Sequence, residues 1–276
     1  MIDTHVHLFS GPGDPGFPAH KDAPYQPKAR FGPKELTALM GPAGIEAVVL
    51  VHPEPYQDDH GWLLYCLDAL PGISKGICHL FPQKADTPKR IAELAKDKRI
   101  VGVRLHAYAP NRLPPLNLET LGAFWFAAAK SGLLVQLHLE PRYAPAFTPL
   151  FEMFSEVKVV IDHCGRPLQG TPADFRHILD WAKFPQLFMK LSMLTPTDQY
   201  PHRDIGPMVK DLVEAYGPER LLFGATVPCN LPEEVVRHKE NLLGLLGSHD
   251  MFISQKVFQD NARKLFGFGD PNDHTN

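Results

Sequence analysis

Apolar positions along this chain follow two spacings. Short apolar runs fall at residues 2–8, 46–52, 74–81, 100–107, 133–140, 158–163, 187–192 and 220–224, each of strand length. Between them, residues 33–40, 61–70, 88–97, 118–130, 146–154, 173–183 and 205–216 place apolar residues at helical spacing or gather strong helix formers. Pro33, Pro88 and Pro172 stand at or just before helix starts, where the missing N–H costs nothing. Two more helices, 233–246 and 255–266, close the pattern. The polar stretch 267–276 predicts a frayed tail.

Eight strands, each followed by a helix, imply a parallel sheet with right-handed crossovers. Eight such units over this length predict a (β/α)8 barrel. A doubly wound open sheet is the alternative, but it calls for a Gly-rich phosphate turn after an early strand. Residues 8–16 form a long, Pro-interrupted segment instead. There is no internal repeat and no low-complexity linker, so residues 1–266 read as one domain with a C-terminal tail at 267–276.

Composition narrows the function. Of the 276 residues, 44% are hydrophobic and 21% charged, which supports a sizeable core. The net charge of −3, without Lys/Arg runs, gives no electrostatic case for nucleic acid. No apolar stretch approaches membrane-spanning length. The chain opens on a strand, which predicts no signal peptide. Cys66, Cys78, Cys164 and Cys229 are widely spaced and predict reduced thiols, so a cytoplasmic location is the expectation. The expected partner is a small-molecule substrate; a homo-oligomer is compatible with the sequence.

Barrel active sites lie at the C-terminal ends of the strands, and there the pattern turns from apolar to ionisable. His5 and His7 end the first strand and share a face. His52 ends the second. Arg104 and His106 lie two apart near the end of the fourth, and Gln136, His138 and Glu140 sit near the end of the fifth. His163 ends the sixth, and Lys190 and Ser192 end the seventh. Imidazoles bind metals and exchange protons near neutral pH. His52 and His106 either cap the mouth or contact ligand. Glu140 is either a site carboxylate or the salt-bridge partner of Arg142. Asp162, out of phase with His163, is expected to face a helix. His79, His177, His202, His238 and His249 are expected to be solvated. Cys164 and Cys229 flank the mouth, more readily as small buried fillers than as nucleophiles.

A family resemblance rests on the segments Ile2-Asp3-Thr4-His5-Val6-His7, Gly102-Val103-Arg104, Leu137-His138, Ile161-Asp162-His163-Cys164-Gly165-Arg166-Pro167, Lys190-Leu191-Ser192, Arg220-Leu221-Leu222-Phe223-Gly224, Asn261-Ala262 and Leu265-Phe266. In this order they resemble the amidohydrolase-related (amidohydrolase 2) branch of the amidohydrolase superfamily, whose members include 2-pyrone-4,6-dicarboxylate hydrolase and sugar lactonases. The resemblance implies that His5, His7, His138 and His163 line the site. In metal-using relatives some of these bind zinc or manganese. In lactonases of the pyrone dicarboxylate type no metal is needed, and Arg104 matches an arginine that grips a carboxylate.

The eighth strand departs from the family. Gly224-Ala225-Thr226-Val227-Pro228 stands where relatives read Gly-Ser-Asp-Trp-Pro, so Thr226 replaces the aspartate that resembles the general base. A threonine hydroxyl is no base at neutral pH. Either His163, His138 or Glu140 takes the proton, or the reaction needs no such base, or the chain binds without efficient turnover. The leading expectation is hydrolysis of a small lactone or cyclic ester carrying carboxylate or hydroxyl groups. The competing expectations are a decarboxylase or isomerase of an acidic small molecule and a catalytically weak binding homologue.

Overall fold

The computed structural model describes residues 1–108, 113–194, 202–225, 232–247 and 251–269. Eight parallel strands pair in chain order: β1 Ile2–Val6, β2 Ala47–Val51, β3 Ser74–His79, β4 Ile100–Ala107, β5 Leu134–Leu139, β6 Val159–Ile161, β7 Leu187–Leu191 and β8 Leu221–Phe223. Thr4 Oγ1 donates to the Phe223 carbonyl at 2.6 Å, and the Ala225 N–H donates to Asp3 Oδ1 at 3.1 Å, drawing β8 to β1. Between and after the strands run α1 Pro33–Ala43, α2 Gly61–Ala69, α3 Thr87–Leu94, α4 Leu118–Ser131, α5 Thr148–Met153, α6 Pro172–Asp180, α7 Gly206–Tyr216, α8 Pro232–Leu245, α9 Met251–Gln255 and α10 Asn261–Phe266. This is the expected (β/α)8 barrel. None of its described helices is long and apolar enough to cross a membrane.

Strand alternation sorts the side chains into two cores. Val48, Leu50, Val103, Leu105, Val135, Leu137, Val159, Ile161, Met189 and Leu191 belong to the large cluster shared with the helices. Ile2, Ala47, Val49, Ile77, Leu134, Val160 and Leu222 point inward and fill the lower barrel. Ala262 and Phe266 of α10 plug that end together with Phe268. Phe268 is buried although the polar tail was expected to fray from residue 267, because one aromatic there completes the plug. The rest of the tail, 270–276, lies outside the described residues, as do Thr226, Cys229 and His249.

Candidate active site

Above the apolar plug, inward positions turn charged. Arg104 on β4, Gln136 on β5, Asp162 just past β6 and Lys190 on β7 share the barrel axis, all nearly inaccessible. Arg104 Nε and Nη2 both contact Asp162 Oδ2, at 2.9 and 2.8 Å. Gln136 Nε2 donates to the same oxygen at 3.0 Å. Lys190 Nζ lies 3.1 Å from Asp162 Oδ1 and donates to Gln136 Oε1 at 3.0 Å. Burial alone would raise the Asp162 pKa, but Lys190 and Arg104 overcome it and hold the carboxylate well below its usual range. Burial pulls Lys190 down to about 8, against the attraction of Asp162.

Imidazoles form the next layer. Ring contacts run in an unbroken arc, with centroids 4.8 Å apart for His7–His5, 4.6 Å for His5–His163, 5.0 Å for His163–His138, 4.9 Å for His138–His106 and 4.5 Å for His106–His79. The tautomers at one end follow from chemistry. The Val51 carbonyl only accepts, so His7 Nδ1 donates to it, at 2.7 Å. His7 Nε2 then accepts from His5 Nε2 at 3.2 Å, and His5 Nδ1 accepts from Lys190 at 3.2 Å. Burial, reinforced by the nearby cations, holds His5 well below its ordinary value and His7 down at about 4. His163 and His138 are also held low, first by burial. His5, His7, His138 and His163 are therefore neutral at pH 7.

A matching amidohydrolase family model spans residues 2–268. The chain belongs to the amidohydrolase family. An L-fucono-1,5-lactonase of Burkholderia ambifaria is 25% identical over 245 residues, covering 82% of this chain and 80% of that one. A candidate 2-pyrone-4,6-dicarboxylic acid hydrolase of Pseudomonas putida superposes with TM-score 0.79 at 24% identity over 97% of both chains. A Burkholderia multivorans amidohydrolase crystallised with zinc superposes with TM-score 0.77 at 18% identity over 97% of this chain and 99% of that one.

In this amidohydrolase the sequence-derived residues fall into three groups. His5, His7, His138 and His163 share the mouth, with Ser192 Oγ 2.9 Å from His163 Nδ1. Arg104 and Lys190 lie one layer below. The carboxylate that Arg104 holds is that of Asp162, and Lys190 is sealed from solvent. His52, Glu140 and His106 flank the mouth. His52 has the parity of Val48 and Leu50, packs against His60 at 4.7 Å, and reaches hydrogen-bond geometry with no described residue. Glu140 pairs with Arg142 at 2.5 Å. His106 Nδ1 lies 3.0 Å from Glu54 Oε1 and lines, with His79, Gln57 and Gln83, a cavity of about 610 Å³.

Two sequence expectations are corrected. Asp162 does not face a helix: β6 ends at Ile161, and Asp162 keeps the inward parity of Val160. His163 reaches the same space only because the backbone turns left-handed there, with φ of 54°. His79 is not solvated: it ends β3 in phase with inward-facing Ile77 and is buried. Carrying parity forward from Ile77 to the end of β3, and from Val160 one residue past β6, would have found both. Cys164 is a buried filler whose thiol is pushed up to about 12 by burial.

The residues fit one divalent ion. His5, Asp162 and His163 offer donor atoms that all lie within 4.8 Å of one another. Two nitrogens and a carboxylate oxygen suit zinc or manganese. Asp162 Oδ1, buried and without an aligned hydrogen bond, is the oxygen such an ion would use. Both nitrogens of His5 already serve the Lys190–His5–His7 chain, so ion uptake must displace one of those bonds.

Proposed function

We propose that this amidohydrolase hydrolyses a small lactone bearing hydroxyl or carboxylate groups at the mouth of its barrel. The observation that carries this reading is the arc of imidazoles seated on a buried Arg104–Asp162–Lys190 cluster. Such a floor fixes hydrogen-bond partners before substrate arrives, which is what stabilisation of a developing oxyanion requires. The lactonase and pyrone hydrolase relatives support a cyclic ester as the substrate class.

Water adds to the lactone carbonyl, whose π electrons move to oxygen. The ring C–O bond then breaks, and the ring oxygen leaves as a hydroxyl, taking the proton that water gave up. Thr226 cannot hold that proton in between. Glu140 is engaged by Arg142, and His138 Nε2 faces the Arg166 guanidinium. His163 remains: its Nδ1–H donating to Ser192 Oγ would leave Nε2 as the acceptor for that proton. A zinc or manganese ion, held by His5, Asp162 and His163, supplies Lewis acidity when bound. The base and ligand roles of His163 exclude each other, so metal dependence decides between them.

The test is acid release across a panel of aldonolactones and pyrone carboxylates, on chelator-treated protein and after adding zinc or manganese. Turnover in either state supports the proposal, and turnover only with metal assigns His163 to the ion. No turnover in both states, with ligand still bound, supports the binding-homologue reading; Thr226→Asp would then restore activity. Three buried, unbridged thiols, Cys66, Cys78 and Cys164, support a cytoplasmic location within this proposal.

A further inference from the structure

Arg166 is absent from the site that the sequence outlined, yet it contacts one of the site's histidines. After β6 the chain makes a rare turn. His163, Cys164, Gly165 and Arg166 all take left-handed backbone angles, with φ of 54°, 57°, 67° and 53°. Such residues in succession are costly for side chains other than glycine. Local bonds hold the turn: Gly165 N–H to the Asp162 carbonyl at 2.9 Å, and Arg166 N–H to the His163 carbonyl at 2.8 Å. The reversal brings Arg166 back towards β5. Its guanidinium Nη1 donates to His138 Nε2, and its Cζ lies 4.7 Å from the centre of the Tyr108 ring. Tyr108 in turn stacks on His138, with centroids 4.5 Å apart and planes 25° from parallel.

A guanidinium has donors and no acceptor, and it keeps its proton in proteins. The imidazole nitrogen facing it must therefore carry the lone pair. A neutral imidazole has one proton, which must then sit on the other nitrogen. His138 Nδ1 is buried and has no hydrogen-bond partner among the described residues. A buried donor without a partner costs about 1–3 kcal/mol, so its natural complement is a ligand acceptor. His138 lies on the inward face of β5, its ring 5.0 Å from that of His163.

We infer that Arg166 is a positioning residue that locks His138 in its Nδ1–H tautomer, making His138 a fixed hydrogen-bond donor to the substrate's carbonyl oxygen. His138 keeps its proton throughout. It stabilises the oxyanion formed as water's oxygen bonds to the carbonyl carbon, and it is released when the carbonyl reforms and the ring oxygen leaves. The lock also keeps both His138 nitrogens from a metal ion, one by the guanidinium and the other by its own proton. By distance alone, the convergent donor set is His5, Asp162 and His163, without His138. The donor role rests on the lactonase reading; the tautomer lock does not.

The lock is read directly by long-range ¹⁵N–¹H correlation spectra of the ¹⁵N-histidine-labelled full chain. His138 is expected to show a protonated Nδ1 and a bare Nε2. Arg166→Met, which keeps bulk and removes the donor, is expected to mix or reverse the tautomer, and Arg166→Lys to restore it. A protonated Nε2 in the parent protein, or an unchanged tautomer in Arg166→Met, overturns the lock. The donor role is read on the substrate found by the lactone panel. His138→Asn places an amide N–H near the Nδ1 position and is expected to hold kcat within about tenfold. His138→Gln places it near Nε2 and is expected to lose about 10²-fold in kcat with little change in KM. Equal losses in the two variants overturn the donor role. A panel without any substrate would sink the lactonase reading, and with it the donor role, while the spectra still decide the lock.

Discussion

Asp162 is the residue on which the candidate site rests. One carboxylate faces the Arg104 guanidinium, the Lys190 ammonium and the Gln136 amide, all out of contact with water. Removing one partner of a buried ion cluster strands the others, which typically costs 3–5 kcal/mol. Asp162→Asn keeps the shape and removes the charge. Urea denaturation is expected to give a stability loss of about 3–5 kcal/mol with unchanged m-value; a loss below about 1 kcal/mol would mean the cations are solvated. The period of two made His5 and His7 legible from sequence, and they do share a face. Asp162 was misread because parity was counted from His163, the residue at which the strand geometry has already ended.

Among the elements, the turn from His163 to Arg166 does the most to build the site. It redirects His163 inward and returns Arg166 to His138. Gly165 is its tightest point: an added Cβ would lie 2.7 Å from Ile178 Cγ2, at a φ of +67°. Gly165→Ala is expected to lower stability by about 2 kcal/mol or more, combining left-handed strain with overpacking against α6. An unchanged thermal midpoint would show that the turn relaxes. Strand and helix positions were readable because barrel strands are continuous apolar runs between amphipathic segments. The turn was not, since Cys164 and Arg166 have no local preference for left-handed angles and only the surrounding packing holds them there. Gly224 shows a similar limit. A Cβ on it would meet His5 Cβ at 2.9 Å, a requirement set by β1 and not by its neighbours in sequence.

Across the whole molecule, the barrel interior passes from an apolar plug through a charged layer to an imidazole layer. That order follows from inward-facing positions taken strand by strand, and most of it was visible before the structure. Glu54 and Arg166 were not, because they reach the mouth from connecting segments. The buried histidines at and behind the mouth carry a pH cost. His52, His60 and His79 are buried and held below their ordinary value chiefly by desolvation, His60 down at about 4. Below pH 6.5 the unfolded chain takes up protons that the folded one refuses, so stability is full above that pH and falls as pH drops towards 4. Each group contributes up to about 1.4 kcal/mol per pH unit. Thermal midpoints are expected to fall steeply between pH 6.5 and 4.5, and a flat profile would mean these rings are charged or hydrated in the fold. The central claim is hydrolysis at the mouth of this barrel. Its most direct test is turnover in H₂¹⁸O of whichever panel lactone is opened, with the product mass measured for the parent protein and for His163→Gln. One ¹⁸O in the product carboxylate, at a rate lowered about 10²–10⁴-fold in His163→Gln, is the result predicted here. A product without ¹⁸O, through carbon dioxide loss or ring isomerisation, would contradict it.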